Sequence, residues 1–284
     1  MKLSALPFLL ILFLFSCTKE ITTPVGTLPL FDTTIKDISY GTNTANKLDL
    51  FLPAKRTIDS KIVIFIHGGG WNSGDKSEFT FFANGLKERG FAVANINYRL
   101  SPQSKDNYNM QLDDIGQVIS YLSTNSGYYT FSNQNFYITG HSAGAHLSLS
   151  YAYTRNADGK IKAAGGLSTP TNLFTGATEN LGIVGATTIA PYLGAPLNAA
   201  SEQRYKEASP YYHVTKSTVP TILFAGSIDF VVPPVQSISL DNELKQFGVA
   251  EKLVIYPFIF HSWWDNANLV TNTLNETAAW FNAH

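Results

Sequence analysis

The chain has 284 residues, 44% hydrophobic and 14% charged, which fits a single globular domain with a sizeable core. Its 20 basic and 21 acidic residues leave a formal charge of −1 without a basic run, so an electrostatic footprint for nucleic acid is excluded. The only cysteine is Cys17, which excludes an intrachain disulfide and a thiolate metal site.

Met1 and Lys2 give a positive start, Leu3 to Phe15 an apolar run, and Ser16 a small residue before the cysteine. The run is shorter than the ~20 residues of a membrane span and fits a signal peptide. It resembles a bacterial lipoprotein signal, with Leu14-Phe15-Ser16-Cys17 as the box. The resemblance implies that Cys17 becomes lipidated and starts the mature protein, which is exported and held at a bacterial membrane through that lipid alone. Ordinary secretion with cleavage nearby is the alternative. Residues 18–33 are polar and aperiodic and read as a tether, ahead of one domain over 34–284.

Ile35 to Tyr40 and Lys47 to Leu52 are short alternating runs across a Gly/Asn turn, as in an antiparallel hairpin at a sheet edge. Lys61 to Ile66 is continuously apolar and β-branched, as in a strand buried on both faces of a parallel sheet. It runs into His67-Gly68-Gly69-Gly70-Trp71, where three glycines let backbone N–H groups approach a ligand closely. A helix over Ser77 to Arg89, a strand over Phe91 to Asn97 and a helix from Met110 that closes around Asn125 to Gly127 follow.

Phe136 to Gly140 is again an apolar strand, and Gly140-His141-Ser142-Ala143-Gly144 after it has the Gly-x-Ser-x-Gly pattern. That pattern presents a serine on a sharp strand-to-helix turn, clear of the backbone and within reach of a base. The pentapeptide alone also suits a turn with no chemistry. From 168 to 219 the period is lost among Gly, Ala, Thr and Pro, which reads as a lid or pocket wall. Strand 221–226, helix 235–247, strand 251–257 and a closing helix 266–283 resume the alternation. The whole predicts an α/β fold: a mostly parallel sheet of about eight strands with helices on both faces.

A serine base needs a histidine, and the histidine a carboxylate. His261 follows the last strand at the carboxyl edge of the sheet, where catalytic groups of open α/β sheets gather. His213 lies in the irregular segment and reads as structural. Asp229 ends the preceding strand in the same way, whereas Asp241 and Glu243 fall on a helix and Glu251 at the opposite edge. Ser142, Asp229, His261 is the chain order of the α/β-hydrolases.

With the glycine loop, these residues make the chain similar to α/β-hydrolases of the esterase/lipase superfamily with an HGGGW motif. His67 to Lys76 and Asn97-Tyr98-Arg99-Leu100-Ser101 further resemble secreted carbohydrate esterases that release acetyl or feruloyl groups from xylan. The resemblance implies an oxyanion hole from the backbone N–H groups of Gly69, Gly70 and Ala143. It also implies hydrolysis of a small-molecule or oligosaccharide ester, without a cofactor and without a metal. Trp71, Trp263, Trp264 and Tyr211 flank the motifs and are expected to stack on a sugar or aryl ring. Two other readings stay open: an amidase of the arylformamidase or aminopeptidase kind, and a non-catalytic binding protein on the same fold.

Overall fold

The computed structural model describes residues 27–178 and 186–284. The signal segment with Cys17 and the tether up to residue 26 lie outside the described residues, as do 179–185 of the lid-like insert. Eight strands form one sheet: β1 Thr33–Ser39, β2 Lys47–Leu52, β3 Ile62–Ile66, β4 Ala92–Ile96, β5 Phe136–Gly140, β6 Ile161–Leu167, β7 Thr221–Gly226 and β8 Glu251–Tyr256. Their order is β1-β2-β4-β3-β5-β6-β7-β8. The hairpin β1–β2 pairs antiparallel at one edge, and every pairing from β4 across to β8 is parallel. The carboxyl ends of β3, β5, β7 and β8 therefore point to the same edge of the sheet.

Both sheet faces are covered, which is why β3, β4 and β5 are buried at every position rather than at alternate ones. Ile62, Ile64 and Ile66 of β3 join a core with Leu112 and Ile115 of helix α2 (Asn107–Tyr129), Leu147 of α3 (Ala143–Thr154) and Leu240 of α7 (Val235–Gln246). Val63 and Phe65 point the other way, toward Phe82 and Leu86 of α1 (Thr80–Glu88) and Leu274 and Phe281 of α8 (Ala267–Ala283). Side-chain caps begin several of these elements. Asp75 and Glu78 form a reciprocal capping box on the 3-10 turn Lys76–Phe79 ahead of α1, and Asn266 accepts from Leu269 N at the start of α8.

The structure departs from the sequence reading in three places. Helix α2 does not close at Asn125 to Gly127 but continues to Tyr129, ending where Thr130 turns left-handed at φ 63°. Tyr129 is buried and its hydroxyl lies 2.9 Å from that of Tyr121, contacts that offset the ~1 kcal/mol cost of a helical glycine. The insert 168–219 is not irregular: it holds α4 (Leu173–Thr178), α5 (Ala186–Leu193), α6 (Glu202–Glu207) and a 3-10 turn at Pro210–His213. Each is too short for a periodic signal, and Pro191 inside α5 hides the longest of them. Finally, the end of the 18–33 stretch is no free tether. Leu28 N donates to Tyr128 O at 2.7 Å, and β1 already begins at Thr33.

Candidate active site

Ser142 stands between β5 and α3 with φ 53° and ψ −119°, a conformation that L-residues rarely adopt. The turn is tight enough to specify its neighbours. A Cβ on Gly144 would come within 2.1 Å of Ile66 O and 2.3 Å of His67 O, both backbone atoms that cannot give way. Backbone hydrogen bonds hold the strained residue: Ser142 N donates to Leu167 O at 2.8 Å, and His146 N donates to Ser142 O at 3.0 Å.

The glycine loop after β3 packs directly against this turn. A Cβ on Gly68 would stand 3.3 Å from Ser142 Cβ and 2.9 Å from His141 Nδ1. Gly69 and Gly70 adopt φ 115° and 57°, left-handed backbone that favours glycine. The backbone N–H groups of Gly69, Gly70 and Ala143 find no hydrogen-bond partner among the described residues. Three free donors beside one hydroxyl are what an oxyanion hole requires.

Asp229 and His261 come from the loops after β7 and β8. His261 Nδ1 lies 2.7 Å from Asp229 Oδ2, while Asp229 Oδ1 accepts from Val231 N and Val232 N, each at 2.8 Å. The buried carboxylate only accepts, so Nδ1 of His261 carries the hydrogen and Nε2 is left as the acceptor. Ser142, His261, Gly68, Gly69 and Gly70 line one cleft of about 320 Å³, together with Glu78, Phe79, His141, Val231, Ser262 and Trp264. No hydrogen bond joins Ser142 to His261 among the described residues; such contacts are often long without substrate and tighten in the complex.

Two histidines, His141 in the elbow and His146 on α3, do structural work that the sequence did not disclose. His141 Nε2 donates to the carbonyl of His261 at 3.1 Å, and Ser168 Oγ donates to the same carbonyl at 2.9 Å. The base is thus fixed from behind through its own backbone. Burial, and secondarily the nearby His261, push His141 down to about 3, so it stays a neutral donor. His146 accepts from Trp71 Nε1 at its Nδ1 (3.1 Å) and donates from Nε2 to Ala208 O (2.7 Å). Burial pushes it down to about 4.

These contacts correct part of the expected ring-stacking set. Trp71 is not a substrate platform: it is fully buried, stacked on Tyr192 at 4.4 Å and bonded to His146, so it ties the glycine loop to α3 and the insert. Trp263 is core as well, with Nε1 donating to Thr273 Oγ1 at 2.9 Å. Tyr211 lines a separate depression with Tyr212, Asn172 and Val235, away from the serine. Trp264 does line the cleft, edge-on to His141 at 5.1 Å and to Phe79 at 5.7 Å. The Asn97-Tyr98-Arg99 stretch acts as scaffold: Asn97 bonds Lys76 N and Asp75, Tyr98 Oη donates to His67 O, and Arg99 pairs with buried Asp114 at 2.6 Å. His213 donates to Glu207 O and stands outside the cleft.

The family model BD-FAE matches residues 48–244, a span that takes in the glycine loop, the elbow and Asp229. The chain belongs to the BD-FAE family. In addition, this BD-FAE chain is 28% identical to isoprenylcysteine alpha-carbonyl methylesterase ICME of Arabidopsis thaliana, over 78% of its own length and 55% of the relative's. It is 34% identical to a kynurenine formamidase of Danio rerio over 46% of this chain and 44% of that one. The chain therefore spans about half the length of the curated relatives it matches. Among solved structures, a truncated carbohydrate esterase from gut microbiota superposes with TM-score 0.74 at 21% identity, covering 88% of this chain and 98% of that one. An esterase of the planctomycete Thermogutta terrifontis gives TM-score 0.69 at 20% identity, covering 88% and 91%. At that identity the likeness establishes the fold, which is the α/β-hydrolase fold.

Proposed function

We propose that this BD-FAE protein is a serine hydrolase of carboxylic esters, with Ser142 as nucleophile, His261 as base and Asp229 as the group that orients it. The single observation behind this is the 2.7 Å His261–Asp229 bond, opening onto the cleft that also holds Ser142 on its strained turn. His261 Nε2 takes the Ser142 proton as Oγ attacks the ester carbonyl. The oxyanion develops beside the amides of Gly69, Gly70 and Ala143, each such donor being worth about 2.7–4 kcal/mol of barrier. His261 then returns the proton to the leaving alcohol. Water enters along the same path, gives a proton to Nε2 as it attacks the acyl carbonyl, and the acid leaves as Nε2 returns that proton to Ser142 Oγ.

For the substrate we infer a short acyl ester, acetyl or feruloyl, on carbohydrate. The cleft of about 320 Å³ suits a small acyl group, and Trp264 supplies one flat apolar wall. A gut carbohydrate esterase of the same fold is consistent with this choice. The likeness to kynurenine formamidase supports a second reading, in which the same machinery hydrolyses an aryl formamide. A hydrolysis panel separates them: p-nitrophenyl acetate through octanoate, acetylated and feruloylated xylo-oligosaccharides, and N-formylkynurenine. Highest kcat/KM on acetyl or feruloyl oligosaccharides supports the first reading and on N-formylkynurenine the second. A steady rise toward octanoate with inert oligosaccharides overturns the carbohydrate assignment.

A further inference from the structure

Two phenylalanines stand in the open beside the cleft, one on each of the loops that carry the catalytic pair. Phe230 follows Asp229 and is 66% exposed; Phe260 precedes His261 and is 59% exposed. Their rings lie 6.3 Å apart, centroid to centroid, inclined at 51°. Neither lines the cleft, but the next residue along each loop, Val231 and His261, does. The pair therefore continues the cleft outward. Its backbone is fixed. Ile228 N donates to Ile259 O at 3.1 Å, Phe258 N donates to Ser227 Oγ at 2.8 Å, and Asp229 holds Val231 N and Val232 N. The two loops are pressed so close that a Cβ on Gly226 would come within 2.2 Å of Phe260 O. Adjacent apolar rings held rigidly in water next to a reaction site mark a surface that something covers.

We propose that Phe230 and Phe260 form a platform for the alcohol half of the ester, and that this alcohol is a neutral sugar. The proposal rests on the esterase reading above. Proton return decides which half. His261 Nε2 must come within about 2.6–3.2 Å of the leaving oxygen, while the carbonyl oxygen turns to the glycine loop. The alcohol therefore departs along the His261 loop, where Phe260 is the neighbouring residue and Phe230 its ring partner. A pyranose suits an open platform of this kind, because its C–H face packs on an aromatic ring while its hydroxyl edge stays in water. A small aryl alcohol has no such edge and calls for a closed slot. Charge points the same way. Neither 226–234 nor 257–266 contains Lys or Arg, and none lines the cleft, where Glu78 is the carboxylate among the described residues. An anionic alcohol or an anionic lipid surface meets no counter-charge there.

The test compares the full chain with Phe230→Ala plus Phe260→Ala on two esters, ethyl acetate and acetylated methyl β-xylobioside, which share an acyl group and differ in the alcohol. The ratio of kcat/KM on the xylobioside to kcat/KM on ethyl acetate is expected to fall about tenfold. Phe230→Tyr plus Phe260→Tyr, which keeps both rings, is expected to hold that ratio within about twofold of wild type. A ratio that the alanine pair leaves unmoved overturns the platform. A fall found instead on ethyl ferulate, whose ring lies on the acyl side, overturns the assignment to the alcohol half. A fall larger on phenyl acetate than on the xylobioside overturns the sugar, and a loss confined to emulsified tributyrin shows lipid contact in its place. Binding is also read without turnover, by saturation-transfer NMR of methyl β-xylobioside on Ser142→Ala. Transfer is expected, and is expected to vanish when Phe230→Ala and Phe260→Ala are added; transfer that persists overturns the platform. Wild-type protein inert toward every ester overturns the esterase reading instead, and the NMR comparison then decides the platform by itself.

Discussion

His261 Nδ1 and Asp229 Oδ2 lie 2.7 Å apart, and the other Asp229 oxygen is held by two backbone N–H groups. That geometry fixes a tautomer rather than moving a proton to the aspartate. Asp229→Asn keeps the shape but presents an amide N–H to Nδ1, which favours the tautomer with Nε2 protonated. The expected result is a fall in kcat of about 10⁴-fold with an unchanged circular dichroism spectrum. A loss below tenfold would show that some other group orients His261.

The elbow makes a steric prediction. Gly144→Ala places a Cβ within 2.1 Å of Ile66 O, so β3 and α3 cannot keep their spacing. A destabilisation beyond ~3 kcal/mol in urea unfolding is expected, enough to remove most soluble protein. Gly127→Ala serves as the contrast, since nothing stands within 4 Å of its Cβ in α2. It should stabilise by ~1 kcal/mol through helix propensity alone. Equal effects at the two sites would contradict the model of the elbow.

Two tryptophans that look alike in sequence separate in function. Trp71→Phe loses the donor to His146 Nδ1 and leaves a buried imidazole nitrogen unpaired, costing about 1–3 kcal/mol of stability. Trp264→Ala removes a wall of the cleft and should raise KM for aryl or sugar esters about tenfold, with a smaller loss of stability. Denaturant midpoints and Michaelis parameters on the same preparations check both. A KM effect from Trp71→Phe as large as that from Trp264→Ala would undo the distinction.

The mostly parallel sheet and the positions of Ser142, Asp229 and His261 on its carboxyl edge were legible because each depends on local pattern: continuous apolar strands, glycine at the tight turn, an acid or imidazole just past a strand end. What escaped depends on contacts between distant segments. Nothing adjacent to Trp71 or Trp263 tells that partners at His146 and Thr273 bury them. Nor does the pentapeptide tell that the ring of His141 holds the loop of His261, 120 residues on. Helices of six to eight residues in the insert are shorter than two or three turns and give no period to read.

Buried neutral histidines predict the acid limb of stability. His146 is pushed down to about 4 and His141 to about 3, against about 6.5 in an unfolded chain. Below that value the unfolded chain binds protons that the folded chain refuses. Their contribution is thus complete above pH ~6.5 and is lost as pH falls toward the folded values, by roughly 3 kcal/mol for His146 near pH 4. Urea midpoints should be level from pH 8 to 7 and decline steadily from 6.5 to 4. A maximum near pH 5 would contradict the buried, uncharged state of these rings.

The most direct measurement of the central claim is the site of covalent capture. A serine-reactive phosphonate, followed by digestion and mass spectrometry, is expected to leave one adduct, on the peptide containing Ser142. Ser142→Ala is expected to abolish both the adduct and hydrolysis of p-nitrophenyl acetate, with the thermal transition retained, since Ser142 contributes no side-chain hydrogen bond as a cap. An adduct on a different residue, together with hydrolysis persisting in Ser142→Ala, would contradict it.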